Sequence, residues 1–418
     1  MWTRVVGTLR WILPLALLLV GTAAGAATEI VYPTFMWGET WNAKFLNELK
    51  DSVEKKNPAI KVNGINVPIA AFWDKQYADV TAGASPDIAT LFDPDIRQYI
   101  AAGLLEPLDP WLDKAGYKLK DFLPSASLAV EKGQIYGVLM QVNPRALFYN
   151  DRLLREAKIP PPTDLNSFYA ALKALRDPAK QQFGFATFSR PGAANLMYIE
   201  IMPLVAGFGG GFFKNGKPSV TSPETLAALE FYKKIYEEEL IPRGLDTATY
   251  RQMFIQEKVA MYASGPFMAG GVAQGNPGFY KNLKAMELPF PGRRSFTLAN
   301  FMAIPKRAPN KEAAAQFIMT MLEDSMQKRV VEVIKALPAR PGMVDQRFLQ
   351  DNSWFVAFEK AGLTGKSYAP EGVEEFAPEI LKIIAQHVEN MLFKGVDAKR
   401  VANELQAELE TFVASKRK

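Results

Sequence analysis

From residue 29 onward the chain alternates short apolar runs with longer stretches in which apolar residues recur every three or four positions. The first run, 29–34, predicts a strand that leads into an aromatic loop, 35–41. Over 42–55, Phe45, Leu49 and Val53 stand four residues apart, which places them on one face of a helix and sets that face against a core. A strand over 60–67 completes a βαβ unit. Residues 87–92 form an apolar run between Ser85-Pro86 and Asp93-Pro94, too short for a helix and therefore read as a buried strand. The helix after it, 96–102, ends at Gly103, whose missing Cβ suits a left-handed C-cap. Strands and helices alternating in this way predict a mainly parallel sheet, where ligands gather outside the carboxyl ends of the strands. Here those ends are the loops 35–41 and 93–95.

From 134 the pattern changes to two extended apolar stretches, 135–143 and 146–150, separated by Pro144. The run Pro160-Pro161-Pro162 cannot continue a helix and delivers an N-cap at Thr163 or Asp164. A second α/β block follows to about 291, with helices over 168–175, 223–238 and 250–256. Then come a strand over 298–304, a helix over 311–322, a break at Pro338-Ala339-Arg340-Pro341, and helices near 378–394 and 398–415. No internal repeat or low-complexity segment interrupts this order, and 418 residues of it fit two compact domains.

Composition removes most catalytic chemistries. Cysteine is absent, which excludes disulfides, thiolate metal sites, cysteine nucleophiles and an acylated lipoprotein cysteine. The single histidine, His387, falls in an amphipathic C-terminal helix pattern and reads as a packing or surface residue. Residues 1–26 resemble an export signal: Arg4 and Arg10 precede an apolar run, 11–20, that ends in small residues at Ala24-Gly25-Ala26. Cleavage there takes the formal charge from +5 to +3, with basic and acidic residues interspersed, a pattern that speaks against nucleic acid as a partner. Gly207 to Gly211 lacks the Lys-Ser or Lys-Thr of a phosphate loop and reads as a hairpin turn, and Glu237-Glu238-Glu239 reads as a helix end without metal-ligand spacing. No cofactor or metal is expected.

A set of short motifs appears in a fixed order: Pro86-Asp87-Ile88, Gly103-Leu104-Leu105-Glu106-Pro107-Leu108, Tyr136-Gly137-Val138-Leu139, Leu147-Phe148-Tyr149-Asn150, Pro162-Thr163-Asp164 with Phe168, Lys258-Val259-Ala260-Met261 with Gly265-Pro266-Phe267, and Ala303-Ile304-Pro305 before Pro309-Asn310-Lys311. Together they resemble the extracellular solute-binding proteins of sugar-type ABC importers, the maltose-binding-protein-like family, over nearly the whole chain after the leader. The resemblance implies an α/β, two-lobed periplasmic-binding-protein (Venus-flytrap) fold with mixed, mainly parallel sheets flanked by helices. One lobe would comprise 27–140 and 298–338, the other 141–297 and 339–418, with crossovers near 139–143, 298–303 and 337–340. It further implies a monomer that closes on a sugar or polyol and presents it to an inner-membrane ABC permease; the leader, with a cleavage site and no cysteine beside it, predicts a periplasmic protein that is not lipid-anchored.

A pyranose offers an apolar face and a belt of hydroxyls, so its site needs flat aromatic rings beside fixed carboxylates, amides and guanidinium groups. The strand-end loops supply Trp37, Glu39, Trp41, Asp93 and Asp95 as ligand-binding candidates, with helix capping as the other reading of Asp93. The crossovers supply Gln141, Asn143, Asn300 and Arg340, and a predicted helix of the second lobe supplies Tyr198 and Glu200. Phe267 stands where the family commonly carries a stacking tryptophan. Trp73 and Trp111 read as core or surface packing. Two other functions stay open: a phosphorylated polyol, glycerol 3-phosphate or a glycerophosphodiester, clamped by Arg145, Arg190 or Arg340, and a secreted glycosidase, for which Asp93 and Glu200 are the carboxylate pair.

Overall fold

The computed structural model describes residues 27–417; the expected leader, 1–26, lies outside the described residues. The strand Thr28–Thr34 runs parallel to Ile60–Asn66 across the helix Thr40–Lys56, the βαβ unit read from the pattern. Phe45, Leu49 and Val53 are buried on that helix as their four-residue spacing predicts. Asp87 ties the pair to the next strand, Ala89–Phe92. Its backbone N–H donates to the Val31 carbonyl at 3.0 Å, and its carboxylate accepts from the Val31 N–H at 2.7 Å and the Asn310 N–H at 2.9 Å.

The sheets are mixed. Phe296–Ala303 lies antiparallel between Ala89–Phe92 and Val138–Pro144, and Leu337–Pro338 adds to the far side of Val138–Pro144. A second sheet is ordered Leu283–Met286, Ala146–Asn150, Val259–Ser264, Phe183–Ala186, with only the last pair parallel. The chain passes between the sheets at Arg145, whose N–H donates to the Phe296 carbonyl at 3.0 Å. Pro144 cannot donate to a ladder, and it stands at this change of sheet. A backbone irregularity between Asn300 and Phe301 shifts the register of the long strand there.

Helix Lys311–Met321 packs between Thr40–Lys56 and Asp109–Ala115, and with Thr40–Lys56 covers the strand pair Thr28–Thr34 and Ile60–Asn66. Around the second sheet, Ala194–Gly207 and Pro223–Glu237 pack with the C-terminal helices Ala377–Phe393 and Ala398–Lys416. His387 is buried between those last two, its Nε2 2.8 Å from the Glu408 carboxylate, and serves packing. The glycine run after Gly207 is not itself a hairpin turn. It ends the helix Ala194–Gly207, with Gly209 at φ +93°, and the hairpin follows at Phe213–Lys214 and Lys217–Pro218.

Candidate functional site

Between the two sheets lies a cavity of about 70 Å³ whose walls come from four directions. Val138–Pro144 and Phe296–Ala303 make its floor. Their register pairs Leu298 with Asn143 and Asn300 with Gln141, and alternation along each strand turns all four side chains to one face, that of the cavity. Phe35, Met36, Glu39 and Asn42 come from the turn after the first strand and the start of its helix, with Trp73 from the helix Ile69–Ala82 beside them. Opposite, Leu196, Ile199 and Glu200 share one face of Ala194–Gly207, being three and four residues apart. Arg251 comes from the helix Thr247–Ile255 and Phe267 from the turn before Met268–Gly275.

The cavity holds two cations and two carboxylates. The guanidinium carbons of Arg145 and Arg251 stand 6.0 and 5.2 Å from the centre of the Phe267 ring. Gly265 makes room for this arrangement: a Cβ there would lie 2.8 Å from both Arg145 Nη1 and the Phe267 ring. Burial pushes the Glu200 carboxyl up, opposed by Arg145 and Arg251, while Tyr262 donates its hydroxyl to Glu200 Oε1 at 3.3 Å. Glu39 is likewise raised by burial and opposed by Arg251, and its carboxylate accepts from Asn42 Nδ2 at 2.6 Å. Burial lowers Arg145, whereas for Arg251 the surrounding Tyr262, Tyr250, Glu200 and Glu39 outweigh burial and raise it. Several polar atoms on these walls are buried without a hydrogen-bond partner among the described residues. Arg145 Nη1 and Arg251 Nε are donors; Asn42 Oδ1, Gln141 Oε1, Asn143 Oδ1 and Asn300 Oδ1 are acceptors.

Of the residues singled out from sequence, the structure brings Glu39, Gln141, Asn143, Glu200, Phe267 and Asn300 to this one cavity. The other ligand-binding candidates for a sugar, Trp37, Trp41, Asp93, Asp95, Tyr198 and Arg340, do not line it. Trp37 donates its indole N–H to the Tyr32 carbonyl at 2.9 Å, lies against Gly64 and meets the buried Tyr32 ring edge-on, so it packs on the first strand pair and not in the cavity. Trp41 turns toward Gly270 and Gly271 of the opposite helix. Asp93 accepts from the Ala299 N–H at 2.5 Å with the Ser367 hydroxyl beside it, and burial pushes its carboxyl to about 7. Asp95, rather than Asp93, caps the helix Asp93–Ala101: it accepts from the Phe92 N–H at 3.2 Å, with the Trp73 indole next to it, and is also pushed by burial to about 7. Tyr198 is buried and donates to the Tyr368 carbonyl at 2.7 Å. Arg340 pairs with Asp324 at 2.6 Å, remote from the cavity, and Arg190 is exposed near Asp246. Asp93 and Glu200 therefore do not face one another across a cleft, and the glycosidase reading loses its carboxylate pair.

Sequence reasoning missed Asn42 and Arg251 and assigned Trp73 to packing. Trp73 does pack, on Phe35, Phe72 and Phe92, but it also lines the cavity. Arg145, considered only for an anionic ligand, had a stronger signal: it is the one charge inside the apolar run 138–149.

This chain belongs to the bacterial extracellular solute-binding proteins, whose family pattern it matches over residues 48–356. The neighbouring solved structures carry the two-lobed fold of maltose-type binding proteins, as the motif order implied. Among curated relatives, a putative binding protein of Brucella abortus (strain 2308) is 23% identical over 343 residues, 80% of this chain and 82% of that one. Among solved structures, an ABC transporter solute-binding protein from Thermotoga lettingae bound with α-D-tagatose superposes with a TM-score of 0.82 at 19% identity, covering 93% of this chain and 99% of that one. UgpB from Mycobacterium tuberculosis in complex with glycerophosphocholine superposes at 0.80 and 19% identity, over 94% and 99%. Among the described residues, no helix is long and apolar enough to cross a membrane, and no group of His, Asp or Glu side chains is placed to hold a metal ion.

Proposed function

We propose that the protein captures an uncharged carbohydrate or polyol between its lobes, 27–140 with 298–338 and 141–297 with 339–418, and presents it to an inner-membrane ABC import permease. The observation that carries this reading is the mixture of unpartnered donors and acceptors beside the Phe267 and Trp73 rings. A hydroxyl both donates and accepts, so a polyhydroxylated ligand satisfies Arg145 Nη1 and the Asn143 and Asn300 oxygens at once. The tagatose bound by the Thermotoga lettingae neighbour is a ligand of this class. In this reading the leader 1–26 is cleaved and the mature protein works as a periplasmic monomer.

A phosphorylated polyol is the second reading, favoured by the free N–H groups of Arg145 and Arg251 and by the glycerophosphocholine held by UgpB. Glu39 and Glu200 stand against it: burial favours the neutral form of both carboxyls and the two guanidinium groups oppose that, and to the extent that they ionise they cancel the positive charge a phosphate needs. A thermal-shift screen over monosaccharides, oligosaccharides, polyols and their phosphates, repeated at two salt concentrations, separates the two. A neutral ligand binds with the same affinity at both, whereas binding of a phosphate ester weakens with added salt.

A further inference from the structure

One contact joins the two sides of the cleft without lining its cavity. Trp41, in the first turn of Thr40–Lys56, reaches across to the helix Met268–Gly275, where residues 270 and 271 are both glycine. A Cβ on Gly270 would lie 3.8 Å from Trp41 Cβ, 3.7 Å from Lys335 Cγ and 3.6 Å from the Ile334 carbonyl oxygen, and one on Gly271 would lie 3.6 Å from Trp41 Cζ3. Ile334 belongs to the first side, since Val330–Ile334 packs on Thr40–Lys56 and leads into Leu337–Pro338. The same segment crosses a second time: Lys335 Nζ stands 4.8 Å from the centre of the Phe348 ring, in the helix Gln346–Asp351, and Phe348 meets Phe355 edge-on beside the strand Leu283–Met286 of the second sheet. Glycine inside a helix is destabilising relative to alanine, and here the missing side chains make room for the indole and for Lys335. Beside the cavity the two sides stay apart, because a recess of about 410 Å³ separates Trp73 and Asp74 from the helices Ala194–Gly207 and Ala377–Phe393.

We infer that Trp41 and the Gly270-Gly271 pair form a latch that holds a fraction of the protein closed before any ligand enters. Trp41, Gly270, Gly271, Ile334, Lys335 and Phe348 all lie outside the cavity lining, so a ligand neither makes nor replaces these contacts. The apparent dissociation constant is the intrinsic one divided by the closed fraction. The latch therefore scales affinity by the same factor for every ligand and takes no part in choosing among them. It rests on the two sides parting, and not on the ligand being a carbohydrate. The indole Nε1 is buried without a hydrogen-bond partner, so the ring and not its N–H makes the contact.

The chain has no cysteine, so spin labels can be placed at N47C and Q274C, exposed positions on the two contacting helices. Double electron–electron resonance on the mature protein, with no ligand added, then reads their separation. The expected result for the parent is a short-distance and a long-distance population. W41A, which removes the ring, and G270L, which wedges a side chain into the contact, should each raise the long-distance population severalfold. W41F keeps a ring without the unpartnered N–H, and G270A adds a methyl at ordinary contact distance, so neither should raise it. Circular dichroism checks each fold, and W41A and G270L act from opposite sides of the contact, so either one suffices. A distribution that they leave unchanged, or a parent with the long-distance population alone, overturns the latch and leaves the reading of the ligand standing.

Discussion

At the scale of single residues the site depends on close approach. Gly265 is small because Arg145 and Phe267 crowd the space its side chain would take. Gly265→Ala places a methyl 2.8 Å from both, so one of them must leave its position. Ligand affinity should fall about tenfold, with little change in melting temperature, in a titration run beside a thermal melt. Arg145→Ala removes a buried guanidinium donor and should weaken binding by about 1.5–3 kcal/mol, roughly ten- to a hundredfold. Arg340→Ala should leave affinity where it was, since its partner is Asp324 and not the cavity. Equal losses for the two variants would place the site elsewhere. The buried carboxyls of Asp93 and Asp95 set a pH dependence. Both titrate near 7 in the folded chain against an ordinary 3.8, so between those values the native state binds more protons than the unfolded one. Stability then declines as pH rises from about 4 to about 7, by up to about 1.4 kcal/mol per pH unit for each group. Asp95→Asn removes one of these groups, and urea melts at pH 4.5 and 7.5 should differ less for the variant than for the parent.

At the scale of elements, what could be read from sequence was what local spacing determines. Phe45, Leu49 and Val53 fixed a helix face, Pro144 marked the point where the chain changes sheet, and Gly103 ended its helix at φ +65°. Antiparallel pairing of Phe296–Ala303 with strands some 150 and 200 residues earlier was not readable, because no local signal records which distant strand a run will join. The same limit explains the site residues. Gln141, Asn143 and Asn300 were singled out because they fall in the segments read as crossovers, and those segments do form the floor of the cavity. Arg251 sits in an ordinary helix, and only the packing of Thr247–Ile255 against Val259–Ser264 brings it to the cavity. Trp37 falls outside the cavity because a strand-end position does not say which way a ring turns; a bond to the Tyr32 carbonyl and the bare Gly64 hold it on the first strand pair. Asp87 shows how one buried side chain joins elements, since it alone accepts from both the Val31 and Asn310 N–H groups. Asp87→Ala leaves two backbone donors without that acceptor and should cost about 2–5 kcal/mol in a urea denaturation curve. A loss under 1 kcal/mol would mean that water replaces the carboxylate at no penalty.

For the whole molecule, the walls of the cavity come from opposite sides of a cleft. Glu39, Asn42 and Trp73 belong to elements on the first sheet, whereas Glu200, Arg251 and Phe267 belong to elements on the second. Neither half offers a ligand both its rings and its full set of hydrogen bonds, so a ligand favours whichever arrangement brings the halves together. If the halves part, the floor strands Val138–Pro144 and Phe296–Ala303 are where the motion is absorbed, because the chain passes from one sheet to the other at Arg145 and at Phe296. Movement of this kind should be visible in solution scattering. A compact chain of the length of 27–418 has a radius of gyration of about 21 Å, and the ligand-free protein should lie above the ligand-bound one if the halves part. Saturating ligand should reduce the radius and raise the melting temperature together, the second by mass action on the native state. A higher melting temperature with an unchanged scattering curve would show that the ligand binds to halves already closed, and the flytrap motion would have to be given up while the binding site stood.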